Sequence, residues 1–147
     1  MKGVVSYMIK QLSVFVENQV GSLAGVTSIL KDNQVNLRAI ASFDTPEFAI
    51  LRIVVDKPDV AMICLKEKGY VVKVSDAVAV ELEDKPGTLD GMLQVIAENK
   101  LGINYIYSIV IRAGKVPLMI VNTGDLEKTA TVLSKNGYVV VGQDGLD

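Results

Sequence analysis

Two short segments, Glu17-Asn18-Gln19-Val20-Gly21-Ser22 and Glu83-Asp84-Lys85-Pro86-Gly87-Thr88, hold the residues of this chain best suited to gripping a small charged molecule. An asparagine amide offers both a donor and an acceptor, whereas the Asp84 carboxylate only accepts and favours an ammonium or other cationic group. Glycine lets a backbone approach a ligand closely, and the unpaired amides of a helix start, near Ser22 and Leu23 or Thr88 and Leu89, suit a carboxylate. Asn36 and Asn104, polar residues opening otherwise apolar strands, add two more amides. Such a set suits a zwitterion, which needs an acceptor for its ammonium and donors for its carboxylate. The same residues also have a purely structural reading. Asn18 and Asp84 can begin a helix or close an Asx-turn, and Gly21 and Gly87 can simply satisfy the turn.

Bond-making chemistry finds less support. The chain has no histidine, the commonest general acid or base, and shows no carboxylate pair or nucleophile and base constellation in its place. Its single cysteine, Cys64, cannot form an internal disulfide or a two-cysteine metal motif, and its apolar helical surroundings assign it a packing role. A net charge of -2 with dispersed basic residues argues against a nucleic-acid partner. Half the residues are hydrophobic and 22% are charged, with mean hydropathy +0.35. That is enough apolar material for two small cores. No stretch approaches the roughly 20 apolar residues of a membrane span. The segment after the first lysine, Gly3-Val4-Val5-Ser6, lacks the apolar region of a signal peptide, so a cytoplasmic location is expected, with no membrane partner and no cofactor.

The elements that must position these residues come from a duplication. Gly21, Leu23 and Gly25 recur 66 residues later as Gly87, Leu89 and Gly91. Asn36 and Gly69-Tyr70-Val71-Val72 recur at a shift of 68 as Asn104 and Gly137-Tyr138-Val139-Val140. A period near 70 holds one small domain per copy, which divides the chain into residues 1–74 and 75–147. The change of shift places two extra residues of copy two around Leu101-Gly102.

Within each copy, Leu12, Val14 and Val16, like Val78, Val80 and Leu82, alternate as in a strand buried on one face. The polar turn follows. Leu23, Val26, Thr27 and Leu30, matched by Leu89, Met92, Leu93 and Ile96, then make one helical face. Runs at Leu37 to Phe43 and Phe48 to Val55, and at Tyr105 to Ile111 and Leu118 to Asn122, predict hairpins turning at Asp44-Thr45-Pro46 and Ala113-Gly114-Lys115. Pro58 and Asp125 open second helices with inner faces Ala61, Met62, Leu65 and Leu126, Thr129, Ala130, Leu133, stopped by Gly69 and Gly137. Closing strands run from Tyr70 to Val74 and from Tyr138 to Val141.

The order is βαββαβ twice. That is an α+β, ferredoxin-like arrangement of antiparallel sheets with helices on one face. Two copies joined only by Ser75-Asp76-Ala77 are expected to pack side by side. Other uses of this fold lack their residues. An RNA-recognition module would need exposed aromatics and a basic surface, a metallochaperone a CxxC loop, and an acylphosphatase-like enzyme an arginine in the first turn.

The turn with its following asparagine, Val14-Phe15-Val16-Glu17-Asn18-Gln19-Val20-Gly21-Ser22-Leu23 and Val35-Asn36-Leu37, resembles the ACT domain, a small regulatory module of amino-acid-metabolising enzymes. Leu82-Glu83-Asp84-Lys85-Pro86-Gly87-Thr88-Leu89 with Gly102-Ile103-Asn104 resembles it as closely, and the likeness spans almost the whole chain. The resemblance implies a free-standing, non-catalytic tandem ACT protein that binds a free amino acid at an interface between paired domains. Its partners would be a second copy in a homodimer or an amino-acid-metabolising enzyme. The implied site is Asn18, Gln19, Val20, Gly21, Ser22 and Leu23 in copy one and Asp84, Lys85, Pro86, Gly87, Thr88 and Leu89 in copy two, with Asn36 and Asn104 from the second strands. Pairing within the chain would set Asn18 against Asn104 and Asp84 against Asn36, and pairing between chains would set Asn18 against Asn36. The neutral Asn18 in copy one, where copy two has the charged Asp84, predicts non-equivalent sites. A ligand-free dimerisation or docking module is the alternative.

Overall fold

A computed structural model describes residues 8–109 and 115–146. The elements are β1 (Met8–Glu17), α1 (Ser22–Asp32), β2 (Leu37–Asp44), β3 (Phe48–Val55), α2 (Pro58–Glu67), β4 (Val71–Glu81), α3 (Thr88–Glu98), β5 (Ile103–Ile109), β6 (Leu118–Thr123), α4 (Leu126–Lys135), β7 (Val140–Val141) and a final 3-10 turn, Gln143–Leu146. They form two compact units. Lys10–Ser75 is one, and the chain from Asp76 onward, joined by Met8 and Ile9, is the other. Ser75-Asp76-Ala77, expected as a linker, lie inside β4, whose first half serves one unit and second half the other.

In the Lys10–Ser75 unit the strand order is β2-β3-β1-β4, with β1 and β2 each antiparallel to β3. Alternation turns Leu12, Val14 and Val16 of β1 and Leu51, Ile53 and Val55 of β3 to one face, where they meet Val26 and Leu30 of α1 and Ala61, Cys64 and Leu65 of α2. In the other unit β4 pairs with both β6 and β7, and β5 pairs with β6. Val78, Val80 and Val121 there meet Met92 and Ile96 of α3 and Ala130 and Leu133 of α4. The structure is therefore two ferredoxin-like βαββαβ units, as the alternation predicts.

Two details correct the sequence reading. Leu23 and Thr27 were expected on the inner face of α1, yet both are exposed, Leu23 at 39%. Thr27 instead gives its hydroxyl to the Ala24 carbonyl at 3.1 Å. The face that meets the sheet is Val26, Ile29 and Leu30. Leu89 is likewise 40% exposed.

The second correction concerns register. Leu37 pairs with Val55 and Ala39 with Val54, while Ile103 pairs with Thr123 and Tyr105 with Asn122, each across the same irregularity. The first two strands thus still match at a shift of 66, so Asn104 corresponds to Arg38, and Asn36 to Gly102. Gln34 and Lys100 end their helices with φ of 57° and 58°, which sets the same exit into β2 and β5. Since Phe43 pairs with Ile50 and Ile109 with Leu118, the two extra residues fall between Ile109 and Leu118, not at Leu101-Gly102. Most of the turn predicted at Ala113-Gly114-Lys115 lies outside the described residues.

Two glycines of the repeat have different duties. Gly21 and its counterpart Gly87 adopt φ of 87° and 89°, with open space around the missing Cβ. Gly25 and Gly91 sit inside helices, where an added Cβ would lie 3.0 and 3.2 Å from the hydroxyls of Tyr70 and Tyr138. Gly69 and Gly137 end the second helices at φ of 93° and 87°, as expected. Cys64 is buried, gives its thiol hydrogen to Ala61 O at 3.4 Å, and is pushed above the ordinary thiol pKa by burial.

Gly21→Ala should lower stability in urea unfolding by about 1–2 kcal/mol, the penalty of placing an L side chain in a left-handed conformation. A raised native thiol pKa disfavours the thiolate in the fold. Cys64 should therefore resist thiol reagents in the native protein, and the stability it contributes should be lost as pH rises through the alkaline range, measurable as labelling rate and urea midpoint against pH.

Candidate functional site

β1 ends at Glu17, and the chain reverses through Gln19 N–H to Glu17 O at 3.0 Å and Ser22 N–H to Gln19 O at 3.2 Å. The left-handed Gly21 then starts α1, and no side chain caps its first turn. Helix-start amides are thereby presented to the surface. The Asn18 amide donates to Thr45 O at 3.3 Å, tying the turn to the β2–β3 hairpin. Thr45 in turn holds that hairpin through its bonds with Phe48.

A cavity of about 240 Å³ opens here, bounded by Asn18, Gln19, Ser22 and Leu23 of the turn and by Ser42 and Asp44 of β2. Four of the six predicted turn residues of copy one line it. Val20 points to solvent, fully exposed, and Gly21 shapes the backbone. Ser42 and Asp44 were not singled out from sequence, where Asp44 counted only as a turn residue. The signal was available in the strand period, because Ser42 and Asp44 fall on the same side of β2 as their partners Leu51 and Ala49, which face the helices. Chemically, the cavity, which Glu17 also lines, sets two carboxylates, two hydroxyls and two amides against an uncapped helix start.

Copy two builds the same turn, with the start of α3 equally uncapped, but its Thr88 hydroxyl and Lys85 ammonium are engaged within the turn. The Thr88 hydroxyl lies 2.7 Å from Glu83 O and 3.0 Å from Lys85 O, and Lys85 N–H donates to Glu83 O at 2.9 Å. Lys85 Nζ pairs with Glu83 Oε2 at 2.8 Å, and the Glu83 carboxylate holds the Lys85 ammonium above its usual pKa. Both partners are exposed, so the pair adds little stability. The adjoining cavity, about 340 Å³, is lined by Glu81, Glu83, Gly87, Thr88, Gly91 and Tyr138 among others. Of the predicted residues only Gly87 and Thr88 line it. Asp84, Lys85, Pro86 and Leu89 do not.

Residues 7–146 match a family described as an ACT domain pair. The chain belongs to that family. The match is to regulatory domains and to no catalytic family. Among solved structures, a protein from Bacteroides thetaiotaomicron is 29% identical, with a TM-score of 0.87 over 95% of this chain and 96% of that one. The regulatory subunit of aspartate kinase from Thermus thermophilus, in its ligand-free form, shares the fold at 17% identity and a TM-score of 0.63, covering 87% and 92% of the two chains. The corresponding subunit from Thermus flavus does so at 15% and 0.59, covering 86% and 90%. No curated protein matches this chain.

Within each ACT unit the two asparagines lie apart from the turns. Asn36 precedes β2, at the end of that strand opposite Asp44, a separation of roughly 25 Å at about 3.3 Å per residue. Its N–H donates to Asp56 Oδ1 at 2.8 Å while Asp56 N–H returns to Asn36 O at 3.1 Å, locking the start of β2 to the end of β3. It borders a separate cavity of about 420 Å³ with Thr27, Lys31 and Gln34. Asn104 lies within β5 and donates to Asn122 Oδ1 at 2.9 Å, and Asn122 donates to Asp76 O at 3.3 Å, a polar ladder across three strands. Among the described residues no His, Cys, Asp and Glu grouping could hold a metal ion, and no helix is long and apolar enough to cross a membrane.

Thr88→Val should lower stability by about 0.5–1.5 kcal/mol in urea unfolding, because the hydroxyl's bonds to its own turn are lost while both carbonyls keep a backbone donor.

Proposed function

We propose that this ACT domain pair is a non-catalytic regulatory protein that binds a free amino acid at the turn between β1 and α1. The observation behind this reading is the cavity at the uncapped start of α1, where Asn18 and Ser22 stand across from Ser42 and Asp44. The helix-start amides suit the ligand carboxylate and the Asp44 carboxylate suits its ammonium, with Asn18 and the two serine hydroxyls completing the polar contacts. A second wall would be added on pairing with another ACT domain. The fold shared with aspartate kinase regulatory subunits supports a role exerted on a separate enzyme or on an oligomer. Binding changes such an assembly only through different affinity for its two states.

The two turns are not equivalent in this reading. The first is the ligand site. In the second, the Thr88 hydroxyl and the Glu83–Lys85 pair satisfy the turn internally, which favours a structural role. Residues Asp84, Lys85, Pro86, Gly87, Thr88 and Leu89 would then bind weakly or not at all, and Asn36 and Asn104 would serve the ends of their strands.

Isothermal titration with each common amino acid tests this. One amino acid should give saturable heat, with affinity falling at least tenfold in Asn18→Ala and Asp44→Asn and unchanged in Asp84→Ala. Silence across the panel from a folded protein would select the ligand-free docking module instead. Two identical sites per chain would remove the asymmetry.

A further inference from the structure

Among the described residues, α1, α3 and α4 end on the same device. Asn33, Asn99 and Asn136 close these helices, and each gives its side-chain amide to the carbonyl four residues back, on Ile29, Val95 and Val132, at 2.8 Å. The residue that follows is left-handed every time, Gln34 at φ 57°, Lys100 at 58° and Gly137 at 87°. Its N–H also turns back to the helix, onto Lys31 O at 3.1 Å, Ala97 O at 2.9 Å and Ser134 O at 3.2 Å. The second helix, α2, ends on Lys68 and a left-handed Gly69 instead. The geometry is shared, but the chemistry is not. Asn136-Gly137 is the only place in the chain where an asparagine is followed by a glycine.

That pair carries a covalent reaction that needs no other reagent than water. The backbone nitrogen of Gly137 attacks Cγ of Asn136 and loses its proton to solvent, while the bond from Cγ to Nδ2 breaks and ammonia leaves. A cyclic succinimide results. Water then opens the ring and returns a proton to the nitrogen. Opening at Cγ gives aspartate, and opening at the backbone carbonyl carbon gives isoaspartate, with the main chain rerouted through the side chain. Glycine favours the first step because no Cβ stands beside the attacking nitrogen. A Cβ added at Gly137 would meet nothing within 4 Å, so the left-handed cap alone calls for glycine there. Asn136 and Gly137 are both exposed, which leaves water free to reach the ring.

We propose that Asn136-Gly137 is a site of spontaneous deamidation that the closed cap of α4 holds in check. In the folded chain both reacting groups are tied. Nδ2 of Asn136 is bound back to Val132 O, Gly137 N–H is bound to Ser134 O, and Tyr138 N–H to Leu133 O at 3.0 Å fixes the chain beyond them. The side chain is thus turned back along α4, while the nitrogen that must attack it lies ahead. Opening of the last turn releases both. Once formed, the product does not restore the cap. A carboxylate only accepts hydrogen bonds, so the bond to Val132 O is gone, and a negative charge at a helix C-terminus opposes the helix dipole. Isoaspartate also lengthens the main chain by a carbon. Each modified chain therefore keeps a permanent record of one opening of α4. The site is independent of the ligand reading.

Peptide mass spectrometry tests this on the intact chain, incubated at mildly alkaline pH with and without an unfolding concentration of guanidinium chloride. In denaturant, the replacement of NH by O at Asn136 should run well ahead of the same change at Asn33 and Asn99. In the folded protein Asn136 should react about tenfold more slowly than in denaturant, or slower still. Ser134→Gly combined with Lys135→Gly, both at exposed positions of the last turn, should raise the folded rate about fivefold and leave the denatured rate unchanged. Equal rates in the folded and denatured chain, no lead of Asn136 over Asn33 and Asn99 in denaturant, or a folded rate indifferent to the two glycines would overturn the proposal. If the glycine variant fails to fold, the ratio of the two rates in the parent protein decides by itself.

Discussion

Every feature of this molecule depends on one constraint: each sheet must bury one face beneath a pair of helices. The period-two alternation of Leu12, Val14 and Val16, and of Val78 and Val80, supplies that face, and Leu51, Ile53 and Val121 extend it across the sheets. Once it is satisfied, the chain has to leave β1 and return at once as α1 on the same side. Only a very tight reversal can do this, so the helix begins from a left-handed glycine with its first amides uncapped. The polar cavity is a by-product of that reversal. It forms where a helix must begin beside the end of a neighbouring strand.

The duplication shows how far one plan can diverge once its core is secured. Both units keep the turn, the helix pair and the strand order. Their turns differ in what the polar groups do, since Asn18 reaches across to the hairpin while Thr88, Glu83 and Lys85 bind among themselves. Their outer faces also differ in residue type, with Phe43, Phe15 and Arg52 in one unit where the other has Ile109, Glu81 and Ile120. Neither difference disturbs the alternation on the inner face, and this leaves the surfaces free to specialise.

What was legible in the sequence follows the same division. The element order, the buried β1 positions, the packing role of Cys64 and the helix starts at Pro58 and Asp125 rest on short-range periodicity and local chemistry, and they stand in the structure. Leu23 and Thr27 misled because helical spacing groups residues into a stripe without telling which edge of it meets the sheet, here the edge of Val26, Ile29 and Leu30. Asn36 and Asn104 looked equivalent because both precede apolar runs, whereas equivalence is decided by strand register, which depends on a hairpin whose length differs between the copies. Ser42 and Asp44 stayed hidden because lining a cavity is a property of two elements distant in sequence. The turn residues Asn18, Gln19, Ser22 and Leu23 could be read since they are contiguous.

The glycine pairs of the two turns, four residues apart, impose different kinds of limit. At Gly21 the limit is chirality. The surroundings are empty, so no change elsewhere can relieve an L side chain placed there. At Gly25 the limit is volume, and the obstructing atom is a single hydroxyl oxygen at the far end of Tyr70. Loss of that oxygen, as in a phenylalanine, would clear the space. The two positions should therefore drift differently in descendants of this chain: Gly21 alone and without compensation, Gly25 in step with Tyr70, and Gly91 in step with Tyr138.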